Sequence, residues 1–108
     1  MRIEIYMGKK TGKYYAEGTY EKNSVTVKKG GHINPNFAKS IRGGDTSRGY
    51  RENKEYVSSV FEILSDCHFH SPSTAAQFVS GRSVDGYNIW KVYNGQTLGE
   101  YLKEQGVR

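Results

Sequence analysis

The sequence predicts an α+β domain in which a small antiparallel sheet, formed by an N-terminal meander and later strands, packs with two to four short helices. Three observations support this class: apolar alternation at the start, β-rich segments separated by turns, and two helix-start signatures in the last third. Strands followed by helices are typical of α+β architectures. The chain has 108 residues, so we expect a single domain. Its predicted parts are a meander (1–30), a basic glycine-rich helical middle (31–56) and a strand–helix–strand–helix region (57–108).

The first thirty residues carry the period of half-buried strands. Ile3, Ile5 and Met7 recur at every second position, which places them on one face of a strand. A turn is predicted at residues 8–12. Residues 14–20 and 25–28 are β-rich and are separated by a polar turn. These segments predict a three-stranded antiparallel meander.

The middle of the chain predicts two short helices. Phe37 and Ile41 are four residues apart, as on one face of a helix. Asp45 or Thr46 is expected to cap a second, basic helix. The predicted bounds are residues 34–42 and 45–53.

Two later segments predict strands. Residues 57–64 are apolar and partly β-branched, and residues 87–92 follow a turn and contain Trp90. Trp90 is the single tryptophan, so we expect it to be the main packing residue of a small core. A base-stacking platform is the alternative role.

The last third contains the clearest helix signals. Ser71 followed by Pro72 is typical of an N-cap with proline at the first helical position, and Gly81 is expected to close that helix in the left-handed conformation. Thr97 and Glu100 have the spacing of a capping box, which predicts a final helix.

The charge distribution indicates an anionic partner. The chain has a net charge of +5, and residues 1–54 carry 12 basic and 5 acidic side chains against 4 and 6 in residues 55–108. Glycines and tyrosines alternate with the basic residues, a composition suited to contact with nucleic acid. A solvated face that keeps the protein soluble is the alternative. The predicted phosphate-binding residues are Lys28, Lys29, Lys39, Arg42, Arg48 and Arg51.

A second anion site is predicted at the helix start of Ser71, Ser73 and Thr74. Free N–H groups, hydroxyls and the helix dipole together favour an anion there. Arg82, His70 or Lys91 is expected to add positive charge. The alternative is that Ser71 serves only as an N-cap and that Arg82 is a solvated charge.

Neither a metal site nor a catalytic site is predicted. Cys67, His68 and His70 lie on a segment where alternate residues of a strand would point in opposite directions. We expect Cys67 and Phe69 to face the core and the histidines to face solvent, which leaves neither a zinc ligand set nor a Cys–His pair. No cofactor, small-molecule substrate or enzymatic activity is expected. No apolar stretch is long enough for a membrane span.

Residues 66–104 resemble a known family. The run DCHFHSPSTAAQFVSGRS, then DG, WK and GQTL, occurs in order at matching intervals, and the likeness extends over roughly residues 8–104. The pattern is similar to an uncharacterised prokaryotic domain often found C-terminal to GIY-YIG nuclease domains and beside restriction-modification proteins. The chain departs from that pattern at His70, Asp85 and Tyr87. The resemblance implies a fold and a nucleic-acid-processing setting, and no catalytic residue.

These observations predict a non-catalytic accessory module that binds the phosphate backbone, of DNA rather than RNA, through a basic surface. The alternative is a small stand-alone protein that binds and inhibits a bacterial defence nuclease, of the kind that phages and mobile elements carry. A single cysteine and the absence of a signal-peptide pattern lead us to expect a cytoplasmic protein.

Overall fold

The computed structural model describes residues 2–39, 41 and 44–108. An antiparallel five-stranded sheet with the order β4-β3-β2-β1-β5 is combined with four helices, so the predicted α+β class is confirmed. The strands are β1 (Arg2–Gly8), β2 (Tyr15–Glu21), β3 (Ser24–Val27), β4 (Cys67–Phe69) and β5 (Lys91–Val92). The helices are α1 (Asp45–Glu52), α2 (Pro72–Ser80), α3 (Gly86–Ile89) and α4 (Leu98–Glu104).

The predicted meander forms the centre of the sheet. Ile5 of β1 pairs with Gly18 of β2, which pairs in turn with Val27 of β3. Ile3, Ile5 and Met7 are buried, because alternate residues of a strand point to the same face. This face, which we call the inner face, faces the helices.

Helix α2 packs against β2, β3 and β4 on the inner face. Phe78 of α2 is fully buried, and its ring centroid lies 5.3 Å from that of Phe69 in β4. Trp90 is also fully buried, and its Nε1 donates to the Pro72 carbonyl oxygen at 3.0 Å. The expectation that Trp90 packs in the core is confirmed, so its ring is not free to stack on a base.

Residues 34–39 and 41 do not form the predicted helix; residues 40 and 42 of that segment lie outside the described residues. The backbone N–H groups of Asn34 and Ala38 donate to the carbonyls of Val79 and Gly81, and Asn34 Nδ2 donates to the Ser80 carbonyl. The segment therefore caps the C-terminal end of α2, and these groups are not available for hydrogen bonds within a helix.

Residues 57–64 do not form the predicted strand either. Val57 makes an isolated bridge to Ile63, and Phe61 has a φ of 64°. The Ser58 hydroxyl accepts from two backbone N–H groups of the same loop. The apolar run therefore folds back on itself, because the serine side chain supplies local hydrogen bonds that compete with a sheet.

Two further expectations need correction. Residues 87–92 are not one strand: Asp85 accepts from the N–H of Tyr87 and begins the one-turn helix α3, so that β5 contains only Lys91–Val92. Helix α1 forms where expected, but its N-cap is Gly44, with no side-chain cap from Asp45 or Thr46. By contrast, the Ser71 N-cap, the left-handed Gly81 and the Thr97–Glu100 capping box are all present.

Candidate nucleic-acid interface

The turn between β1 and β2 presents three exposed lysines. Gly8 has a φ of +80°, and a Cβ at that position would collide with the Tyr14 carbonyl, so the turn requires glycine there. The Lys9 N–H donates to the Tyr14 carbonyl at 3.1 Å, and the His32 ring nitrogen Nε2 lies 3.0 Å from the Gly12 carbonyl. These contacts hold the turn, which we call the lysine hairpin (Lys9, Lys10 and Lys13).

Clefts lie on both sides of the lysine hairpin. One cleft, of about 440 Å³, includes Lys10, Lys29 and His32 in its lining. The other, of about 540 Å³, includes Lys9, Lys13 and Lys91. Among the described residues that line the two clefts, Glu17 is the single acid. Five lysines therefore gather at one end of the sheet around a nearly acid-free surface, which favours an anionic ligand.

The sheet face opposite the helices, which we call the outer face, carries tyrosines next to this end. Tyr6 of β1 pairs with Glu17 and Lys91, and Tyr15 of β2 pairs with Gly8. Tyr93 directly follows β5 and is 62% exposed. The ring centroids of Tyr6 and Tyr93 are 4.9 Å apart, within the range of aromatic pairs.

Two acidic groups of the outer face, Glu4 and Glu17, accept hydrogen bonds from neighbouring side chains. Glu4 accepts from Lys28 Nζ at 2.8 Å and from the Thr19 hydroxyl at 3.1 Å. The hydrogen bond to Lys28 lowers the pKa of Glu4, and the same bond raises the pKa of Lys28. Glu17 accepts from the Tyr15 hydroxyl at 2.7 Å. The pKa of Tyr15 is raised, first by burial and then by this hydrogen bond.

A model described as a domain of unknown function, DUF4357, matches residues 6–102. The chain belongs to the DUF4357 family. The match includes the lysine hairpin, the outer-face tyrosines and the helix start at Ser71. Searches among curated proteins and among solved structures found no match.

The structure does not bring together the six basic residues predicted to bind phosphate in this DUF4357 domain. Lys28 and Lys29 lie at the end of β3, where Lys28 pairs with Glu4 and Lys29 lines a cleft. Lys39 is exposed in the segment that caps α2, and Arg48 and Arg51 lie on α1. Arg42 lies outside the described residues.

The two arginines of α1 are used within the domain. Arg48 Nη2 donates to the Ile41 carbonyl at 3.0 Å, and Arg51 Nε donates to the Phe78 carbonyl at 3.1 Å. Both guanidinium groups lie about 5 Å from the Phe37 ring centroid, at 5.0 and 4.8 Å, in cation–π geometry. Burial lowers the pKa of Arg51 to about 10. Arg51 therefore joins α1 to α2, and both arginines join α1 to the segment that contains Phe37 and Ile41. The arginines have a structural role in addition to any role at the surface.

The predicted anion site at the start of α2 has its hydroxyls occupied by the domain itself. Ser71 Oγ accepts from the Thr74 N–H at 3.2 Å and lies 3.0 Å from Thr74 Oγ1. Ser73 Oγ accepts from the Gly86 N–H at 2.9 Å. Arg82 follows the far end of the nine-residue helix, roughly 15 Å away at 1.5 Å per residue. The structure therefore separates Arg82 from the three hydroxyl residues.

Cys67 and His68 of this DUF4357 domain point to opposite faces of β4, as expected. Cys67 is fully buried while His68 is exposed, and burial raises the pKa of the Cys67 thiol to about 12. Such a thiol does not supply a nucleophilic thiolate at neutral pH. Within residues 2–39, 41 and 44–108 there is no group of three or more His, Cys, Asp or Glu placed to hold a metal ion. None of the helices in these ranges has the length and apolar character that crossing a membrane requires.

The sequence prediction missed Lys9, Lys10 and Lys13, and it considered Lys91 only for the anion site at the start of α2. A signal was present, because residues 5–16 contain three lysines and no acid. The hairpin itself was predicted as a turn, but its lysines were not assigned to the basic surface. The proximity of Lys29 and Lys91 to the hairpin could not be read from the sequence, because strand order decides it.

Proposed function

We propose that this domain binds nucleic acid through its phosphate backbone at the lysine hairpin and the two adjoining clefts. The observation that supports this function is the convergence of Lys9, Lys10, Lys13, Lys29 and Lys91 at one end of the sheet. Lysine ammonium groups neutralise phosphates, and release of the condensed counterions drives such binding. A patch of lysines carries no base-specific donor pattern, so the binding is weak in sequence preference.

The family resemblance supports a DNA-processing setting. Residues 66–104 resemble a domain that accompanies GIY-YIG nucleases and restriction-modification proteins, so a phosphate-binding surface would serve to hold substrate for another protein. In this proposal the domain is an accessory module, binds DNA rather than RNA and performs no reaction itself. Incubation with plasmid DNA and Mg²⁺ should leave the plasmid intact, and cleavage would contradict the accessory role.

Salt dependence gives the first quantitative test. If all five lysines neutralise phosphates, log K should fall with log salt with a slope of about −4.5 on duplex DNA. Fluorescence anisotropy with labelled oligonucleotides between 50 and 300 mM NaCl measures this slope. Absence of binding at 50 mM salt, or binding indifferent to salt, would overturn the proposal.

A charge-matched pair of variants tests the location. We expect Lys9→Gln, Lys10→Gln and Lys13→Gln together to weaken binding at least about tenfold and to reduce the slope by about 3. The control changes Lys22, Lys54 and Lys103 to Gln, which removes the same charge from exposed positions outside the two clefts. Equal losses of affinity in the two triple variants would indicate nonspecific charge attraction and not a binding site at the hairpin.

A protein partner is the second candidate, favoured by apolar exposure in one loop. Val60 and Leu64 are 68% and 44% exposed on the folded-back segment 57–64. In this alternative the domain binds and inhibits a defence nuclease through that loop. Inhibition of a purified nuclease that is lost in the Val60→Ser, Leu64→Ser variant, and kept in the lysine triple variant, would favour it.

A further inference from the structure

We propose that the outer-face tyrosines Tyr6, Tyr15 and Tyr93 stack on unpaired bases, so that the preferred ligand is single-stranded DNA. This inference rests on the proposed function, since the lysine hairpin supplies the attraction for the phosphates. It adds a second kind of contact, ring on base, that a charged patch alone does not provide.

The position of the rings supports this substrate class. The three tyrosines lie on one face of the sheet beside the hairpin: Tyr15 pairs with Gly8, where the hairpin begins. Tyr6 is two residues before Gly8, and its ring lies 4.9 Å from that of Tyr93. A strand whose phosphates contact the hairpin lysines would therefore have its bases next to a row of aromatic rings.

The outer face also has room for a ligand. Helix α2 packs on the inner face against β2, β3 and β4. Helix α4 packs against β5, and its Tyr101 lines a cleft together with Tyr93. Tyr93 keeps 62% of its surface exposed although its ring is paired with Tyr6. An exposed ring supported by a second ring is already ordered, so little conformational entropy is lost when a base stacks on it.

The charged side chains around the rings favour a polyanionic ligand. Lys10 Nζ lies 5.6 Å from the Tyr15 ring centroid, and Lys91 is the cross-strand partner of Tyr6. The nearby acids are engaged, Glu17 by the Tyr15 hydroxyl and Glu4 by Lys28. Cations therefore flank the rings, which is the arrangement of groove proteins that bind single strands by charge and stacking.

Base pairing distinguishes this ligand from a duplex. In a duplex the base faces are covered by neighbouring pairs, so the tyrosines can stack only on unpaired bases. Each ring that stacks on a base raises the affinity about fivefold to 150-fold. We therefore expect oligo(dT) to bind at least about tenfold more tightly than a duplex of equal length at the same salt.

An abasic strand separates stacking from charge. A 20-nucleotide oligo(dT) and a 20-unit abasic strand carry the same backbone charge, but only the first has bases. The wild-type protein should bind oligo(dT) at least about tenfold more tightly than the abasic strand. The Tyr6→Leu, Tyr15→Leu, Tyr93→Leu variant should bind both strands about equally. Tyr93→Phe keeps the ring and should bind oligo(dT) like the wild type, while circular dichroism verifies that each variant is folded.

The outcomes distinguish the two proposals. Equal affinity of the wild type for oligo(dT) and the abasic strand, with lysine-dependent binding retained, would overturn the stacking inference and leave the phosphate-binding function intact. Absence of binding to every strand would overturn both. An oligo(U) strand in parallel shows whether the ribose is distinguished; tighter binding of oligo(U) than of oligo(dT) would overturn the assignment to DNA.

Discussion

Gly86 and Gly49 have opposite steric surroundings. A Cβ on Gly86 would collide with the backbone of Pro72 and Ser73, whereas a Cβ on Gly49 would meet nothing within 4 Å. Gly86 is thus required by the close approach of α3 to the start of α2. Gly49 lies inside α1, where glycine costs about 1 kcal/mol relative to alanine.

We predict that Gly86→Ala lowers the free energy of unfolding by about 2–4 kcal/mol, because backbone atoms cannot move aside easily. Gly49→Ala should raise it by about 0.5–1 kcal/mol. Urea denaturation followed by circular dichroism measures both. Equal effects of the two substitutions would contradict the close packing of α3 on α2.

At the residue scale, the sequence predicts the capping roles of residues that have strong local preferences. Ser71, Gly81 and Thr97 are where the pattern placed them, because capping depends on neighbours within four residues. The Gly86 contact could not be predicted, since it depends on Pro72, which is fourteen residues away.

At the scale of elements, both local sequence signals and tertiary contacts determine the structure at the start of α2. The start of α2 has the predicted cap, but the hydroxyl of Ser73 is bound to the N–H of Gly86. Ser73 therefore joins α2 to α3, while Ser71 caps α2 through Thr74. Separate substitutions of the two serines test the hypothesis of an anion site at this helix start.

We predict that Ser71→Ala lowers the free energy of unfolding by about 1 kcal/mol and Ser73→Ala by about 1–3 kcal/mol. Both should leave the affinity for oligonucleotides within about twofold of the wild type. Ser83→Ala, at an exposed position beyond the helix, is the control and should change stability by less than about 0.5 kcal/mol. A serine variant that keeps its stability but loses affinity would instead support an anion site.

The elements that were wrongly predicted share a cause. Residues 34–42 and 57–64 have apolar spacing typical of a helix and a strand. In the fold, Asn34 and Ala38 donate to the end of α2, and Ser58 organises its own loop. Long-range or side-chain hydrogen bonds replace the regular backbone hydrogen bonds of a helix or a strand. Apolar periodicity carries no information about this competition.

At the scale of the whole molecule, one hydrophobic core joins residues from Ile3 to Leu102. Trp90 and Cys67 are both fully buried in it, although Trp90 lies under α2 and Cys67 lies in the edge strand β4. Two native probes thus report on separate parts of the same core.

We predict a single cooperative unfolding transition. Trp90 fluorescence, far-ultraviolet circular dichroism and thiol labelling of Cys67 should give the same urea midpoint. Because its pKa is raised to about 12 by burial, Cys67 should react very slowly at pH 8 in the native protein and rapidly once it unfolds. Labelling of Cys67 at urea concentrations well below the unfolding midpoint would show that β4 opens independently of the core.

The sequence by itself determined the α+β class, the β1–β3 meander and the caps of α2 and α4. These features depend on the alternation of apolar residues and on contacts between residues a few positions apart. Both follow directly from the order of residues in the chain. It also determined the excess of positive charge in the first half.

Only the tertiary structure decided which charges act together. Strand order brings Lys29 and Lys91 to the lysine hairpin, while the packing of α1 directs Arg48 and Arg51 to the carbonyls of Ile41 and Phe78. The physical reason is that a site is defined by distances between elements far apart in sequence, and those distances follow from burying one shared core.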